Sequence, residues 1–118
     1  MCAARPERGR PNILLIQVDQ QRYDCAGPAG HPLARTPTLD RLAREGVWFT
    51  QAYTPSPICC PARQSLLSGQ WPHTHGGLWN YDHCLPLRVF ESPTWPPALV
   101  ASGYRLGWVG KFHVHPSK

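Results

Sequence analysis

At 118 residues the chain has the size of one small domain, able to bury roughly two-thirds of its unfolded surface. Its 42% apolar and 16% charged residues exclude a disordered chain, and its longest apolar runs, Ile13 to Ile16 and Ala98 to Ala101, fall far below the roughly 18 residues of a membrane span. The net charge of +5 invites a nucleic-acid reading, yet the basic residues are scattered and no nucleic-acid motif accompanies them, so an anionic small substrate suits the charge equally well.

Residues 1–10 read as a basic, disordered tail without the apolar stretch of a secretory signal, which leads to an expected cytoplasmic location. Asn12-Ile13-Leu14-Leu15-Ile16-Gln17-Val18 is a short, β-branched apolar run, the pattern of a buried strand in a parallel sheet, closed by the polar Asp19-Gln20-Gln21-Arg22. A Gly/Pro-rich loop from Gly27 to Arg35 leads to a predicted helix capped by Thr36, with Pro37 at its first position, an apolar stripe of Leu39, Leu42 and Ala43, and a stop at Gly46. Val47 to Tyr53 reads as a second strand, and a second helix is predicted from near Pro61 to Gly69. From Trp71 to about Ser92 the chain reads as a loop rich in Trp, His and Pro. Pro97 to Ser102, closed by Gly103, is predicted helical, and Tyr104 to Val109 is a third strand. Strands alternating with helices point to an α/β fold with a parallel sheet and right-handed crossovers. The last strand lacks the helix expected to cover it, which reads as the place where a longer protein continues.

Cys2, Cys25, Cys59, Cys60 and Cys84 are odd in number and follow no disulfide framework. Neighbouring Cys59 and Cys60 do not pair readily with each other, because a disulfide needs its Cα atoms further apart. A special cysteine here is therefore expected to be chemical rather than structural. His73, His75 and His83 with Cys84 show none of the spacings of a zinc site and read as loop polarity.

Three clusters fall at or near the carboxyl ends of the predicted strands, where open α/β sheets bind ligands. Asp19-Gln20 reads either as solvated strand-end polarity or as a carboxylate and an amide oxygen for a hard divalent cation. In Cys59-Cys60-Pro61-Ala62-Arg63, a thiol just before a helix start feels the helix dipole, and Arg63 one turn on brings a guanidinium to the same spot. A buried cysteine pair with a surface arginine is the plainer reading of that cluster. Gly110-Lys111-Phe112-His113 is the third.

Cys-x-Pro-x-Arg followed by Leu66-Leu67-Ser68-Gly69 resembles the signature of the sulfatase family, whose first cysteine a separate enzyme oxidises to formylglycine. Pro61 and Arg63 set the register on Cys59 rather than Cys60, and Ala62 stands where many members carry Ser. Pro11 to Gln20 is similar to the family's first strand and metal pair, with Asp-Gln in place of the commoner Asp-Asp, as in the branch of choline sulfatases and phosphonate monoester hydrolases. Thr36 to Leu42 with Glu45-Gly46-Val47 is also family-like, and Gly110 to His113 resembles the family's Gly-Lys-x-His element.

The resemblance implies the N-terminal part of an alkaline-phosphatase-like parallel-sheet sandwich over residues 11–118. Catalytic roles fall on Cys59, Arg63, Lys111 and His113; metal ligation falls on Asp19, Gln20 and residue 59; and Asn80 is a substrate contact. It implies a divalent metal, Ca²⁺ first with Mg²⁺ and Mn²⁺ as alternatives, and a formylglycine-generating enzyme as maturation partner. The substrate would be a small-molecule or carbohydrate sulfate ester, with no nucleic-acid or membrane partner. In the family chemistry, an oxygen of the hydrated aldehyde attacks sulfur and expels the alcohol, and the second hydroxyl then ejects sulfate. A phosphonate or phosphate ester is the alternative substrate. The chain by itself is expected to be inactive, because further ligands and cations lie downstream in the family.

Overall fold

The computed structural model describes residues 9–80 and 94–114. Most of the tail at residues 1–10, the segment 81–93 with His83 and Cys84, and residues 115–118 lie outside these. Among the described residues there are two single 3₁₀ turns, Tyr23–Cys25 and Gly27–Ala29, and four helices: α1 (Pro37–Glu45), α2 (Cys59–Ser68), α3 (Pro72–His75) and α4 (Trp95–Ala101). None of these helices is long and apolar enough to cross a membrane.

Helix α1 begins at Pro37, whose ring presets a helical φ, and ends where the Gly46 N–H donates to the Leu42 carbonyl at 2.9 Å. Thr36 does not cap it as expected. Its hydroxyl instead donates to the Asp40 carboxylate at 3.0 Å and accepts the Gly27 N–H at 2.8 Å, tying α1 to the Gly27–Ala29 turn. Glycine is required at residue 27 by this closeness, since a Cβ there would lie 2.3 Å from the Asp40 carboxylate. Leu39 and Leu42 remain exposed among the described residues. Nearby, the Tyr23 and Trp48 rings stack with centroids 5.5 Å apart.

Helix α2 starts at Cys59, two residues before the expected Pro61, and the first i to i−4 bond runs from Ala62 N–H to Ile58 O at 3.0 Å. Pro61 still falls in the first turn, where its missing N–H costs no helical bond. Gly69, at φ 68°, closes the helix in the left-handed region that glycine enters without penalty. Helix α4 starts at Trp95 rather than Pro97, with both prolines in its first turn. The Trp95 indole N–H donates to the Leu66 carbonyl at 2.9 Å, satisfying a carbonyl that the end of α2 leaves open. Leu67, Val114 and Trp95 form a small apolar cluster beside this contact. The predicted loop after Trp71 contains α3, which packs on α2.

No strand forms among the described residues, contrary to the three expected from the apolar runs. Residues of 12–17 and 104–111 instead line one cavity of about 450 Å³, together with Trp95 and Leu99. Their side chains are open, Leu14 at 83% and Val109 at 99% exposure. A parallel sheet gains its stability from cover on both faces, and the described elements leave these segments largely open. The apolar pattern is present; its partners are not among the described residues.

Replacing Thr36 with valine removes both hydroxyl bonds and leaves the shape nearly unchanged. It is expected to destabilise the α1 region by roughly 1–2 kcal/mol, read as a lower urea midpoint, and an unchanged midpoint would show the link to be idle.

Candidate active site

The approach to α2 is shaped by short polar side chains. The Thr54 hydroxyl donates to the Ser56 carbonyl at 2.8 Å, and the Ile58 N–H donates to the Ser56 hydroxyl at 3.3 Å. Ile58 occupies the N-cap position without any capping group. The cap comes from 20 residues away: the Asn80 amide oxygen accepts the Cys60 N–H at 3.1 Å. Cys59 is thereby held as the first residue of the helix, where the dipole favours negative charge. Adjacent Cys60 is fully buried and faces inward.

Around Cys59 the structure gathers Asp19, Arg63 and Lys111. The Cys59 thiol lies 3.6 Å from one carboxylate oxygen of Asp19. The other carboxylate oxygen receives Lys111 Nζ at 2.5 Å and has Arg63 Nη2 at 3.5 Å. Arg63 is buried at 6% exposure and also donates through Nη1 to the Lys111 carbonyl at 2.9 Å. The lysine's hydrogen bond holds the Asp19 carboxyl below its usual range against partial desolvation, with Cys59 and Arg63 adding to the effect. The same bond raises Lys111. One carboxylate facing two cations leaves the cluster net positive, with both cations engaged by Asp19.

Gln20 and His113 flank this cluster, both in the left-handed region, with φ 53° and 46°. No other non-glycine residue among those described has a positive φ. Such conformations cost of order 1 kcal/mol or more each and collect at functional sites. Gln20 is exposed, while His113 is partly buried, and burial with the nearby Lys111 and Arg63 charges lowers its pKa against the pull of Asp19. Among the described residues no three His, Cys, Asp or Glu side chains gather as a metal cluster.

His75, whose sequence neighbourhood suits loop polarity, is instead a buried strut at 1% exposure. Its Nδ1 accepts the Gly77 N–H at 3.1 Å, so the neutral ring carries its proton on Nε2 and donates to the Ser65 hydroxyl at 2.9 Å. A histidine in this tautomer does not take the serine's proton, so Ser65 is no activated nucleophile. Gln64, fully buried, packs so tightly on Gly77 that a Cβ there would lie 1.6 Å from its amide oxygen. The only sequence signal for this arrangement was the Gly76-Gly77 pair after the histidine.

A family model described as Sulfatase matches residues 11–118. The chain belongs to the sulfatase family. It is 36% identical over 116 residues to an arylsulfatase of Clostridium perfringens, covering 92% of this chain and 22% of that protein. It is 42% identical over 108 residues to an ulvan-active sulfatase of Formosa agariphila, covering 92% of this chain and 20% of the relative. With human arylsulfatase A it shares 37% identity over 126 residues, 97% of this chain and 22% of the relative. The chain thus spans about a fifth of the length of these relatives. No solved structure matches it. Family membership implies an alkaline-phosphatase-like fold and, in general, formylglycine and a divalent metal.

Burial lowers the His75 pKa, so the folded state prefers the neutral ring. The unfolded chain then binds protons first, and stability falls as pH drops below the ordinary histidine value of 6.5. His113 acts with the same sign. The urea midpoint is expected to fall between pH 7.5 and 5.5, and to fall less steeply in His75→Gln; equal slopes would remove His75 from the account.

Proposed function

We propose that this chain carries part of the catalytic centre of a sulfuric ester hydrolase, with residue 59 as the nucleophile after conversion to formylglycine. The observation behind this reading is the convergence of Asp19, Arg63 and Lys111 on Cys59 at the start of α2, from positions up to 92 residues apart. The parallel-sheet sandwich expected of the fold supplies the strands that residues 12–18, 47–53 and 104–109 pair with in the whole protein.

The residues divide the work by charge. A transferring sulfuryl group spreads negative charge over its oxygens, and preorganised cations there are worth more than mobile ones in water. Arg63 is preorganised because it is buried and bonded to the Lys111 carbonyl. Lys111 is the exposed, movable cation. His113, kept neutral by burial and neighbouring charge, offers a ring N–H to the ester oxygen that leaves. Asn80 aligns the helix start, and its amide nitrogen is on hand for a substrate oxygen.

The donor chemistry of Asp19 and Gln20, a carboxylate and an amide oxygen, fits a hard divalent cation, with Ca²⁺ the first choice. These two residues would hold it as part of a larger ligand set, and when bound it supplies Lewis-acid charge at the nucleophile and sulfate. The substrate is a small-molecule or carbohydrate sulfate ester, and the maturation partner is a formylglycine-generating enzyme.

Co-expressed with such an enzyme, Cys59 is expected to show the thiol-to-aldehyde mass difference while Cys60 stays a thiol; peptide mass spectrometry finding conversion at Cys60 would overturn the register. In the active protein, Arg63→Lys keeps the charge but loses the forked geometry, and kcat on an aryl sulfate is expected to fall roughly 10²-fold. Asp19→Ala is expected to abolish metal binding, whereas Gln20→Ala, which removes a neutral ligand, weakens it less. Calorimetry showing equal losses would reverse that assignment.

A further inference from the structure

The same oxygen of Asp19 faces two cations that are held very differently. Arg63 is buried, and its Nη1 is committed to the Lys111 carbonyl at 2.9 Å, so its position 3.5 Å from the carboxylate is set by the backbone. The Lys111 side chain is 44% exposed and meets Asp19 only through its flexible end, at 2.5 Å. Calcium bonds carboxylate oxygens at about 2.3–2.6 Å, nearly the distance the ammonium now holds. Two cations on one oxygen at such distances would sit at most about 5 Å apart, where a divalent charge and an ammonium repel each other strongly. The less anchored and less charged one yields.

We propose that a divalent cation displaces the Lys111 ammonium from Asp19, so that loading the metal is the step that frees Lys111 for the sulfate. The lysine's backbone stays in place, because Arg63 holds its carbonyl, and only the side chain swings. An unloaded site keeps its mobile cation neutralised by Asp19 and holds anions poorly. A loaded site presents Arg63, Lys111 and the metal together. This rests on Asp19 as a metal ligand, and the test separates the two ideas.

Lys111 and Lys118 are the two lysines of this sequence, and peptide mass spectrometry reads the acylation of each separately. Calcium is titrated calorimetrically into the active whole protein and its Lys111→Gln, Lys111→Arg and Asp19→Asn variants, and acylation of Lys111 is followed by peptide mass spectrometry with and without calcium. Displacement predicts that Lys111→Gln binds calcium on the order of tenfold more tightly than wild type, that Lys111→Arg does not, and that calcium speeds wild-type Lys111 acylation severalfold while leaving Lys118 unchanged. Calcium affinity unchanged or weaker in Lys111→Gln, or acylation of Lys111 indifferent to calcium, overturns the displacement. Wild type that binds no calcium, or Asp19→Asn that binds it as tightly as wild type, overturns the metal assignment and the displacement with it.

Discussion

A guanidinium taken out of water costs several kcal/mol unless its charge and its donors are met, and Arg63 is nearly fully buried. Its two terminal nitrogens meet that requirement with parts of the chain far apart in sequence: the backbone of Lys111 and the carboxylate of Asp19. The requirement runs in both directions. Arg63 holds its place because those groups are there, and the segments ending at Asp19 and around Lys111 are brought to α2 because Arg63 must be satisfied. A lysine at this position would reach one partner, since its ammonium lacks the planar fork that serves two.

The face that α2 buries is unusual in being polar. Cys60, Pro61, Arg63, Gln64, Ser65 and Leu67 are its buried residues, and Leu67 alone is a large aliphatic. Hydrogen bonds therefore do much of what apolar packing does in an ordinary surface helix. Such bonds are directional, so they set the rotation of the helix about its axis as well as its depth. Ser65 is tied to His75, and Gln64 lies against Gly77, so α3 and the turn after it act as a clamp on α2. Asn80 completes the clamp at the helix start. Rotational precision bears on the proposed chemistry because the first residue of α2 is Cys59, and a reaction that depends on alignment loses orders of magnitude to a misdirection of about 1 Å.

Backbone strain marks the rim of the same place. Gln20 and His113 both hold left-handed conformations, and each directly follows or nearly follows a charged residue of the cluster, Asp19 or Lys111. The chain has to turn sharply after presenting Asp19, and again after presenting Lys111, so that both side chains reach one point. The φ values are the local expense of that convergence, and the ion pair between Asp19 and Lys111 helps to hold it.

Much of this was legible in the residues alone. The spacing of Cys59, Pro61 and Arg63 set the register of the motif on Cys59, and Pro37, Gly46 and Gly69 marked helix ends, Pro37 and Gly69 through the φ of a single residue. The Gly-Lys-x-His element singled out Lys111 and His113, and the structure sets Lys111 on Asp19 with His113 near the same charges. Other features depend on contacts between distant segments, and no local rule reaches them. Thr36 looked like a helix cap because its own sequence neighbourhood suits that role; Gly27, nine residues earlier, claimed its hydroxyl instead. His75 looked like solvated loop polarity until burial against Ser65 and Gly77 decided its tautomer. The apolar runs at 12–18, 47–53 and 104–109 carry the composition of strands, but a ladder needs a second backbone to bond to, which a one-dimensional pattern does not supply. Tertiary structure alone decided that Lys111 rests on Asp19, 92 residues away, because an ion pair is set by where two side chains meet in space and not by what surrounds either one in the chain.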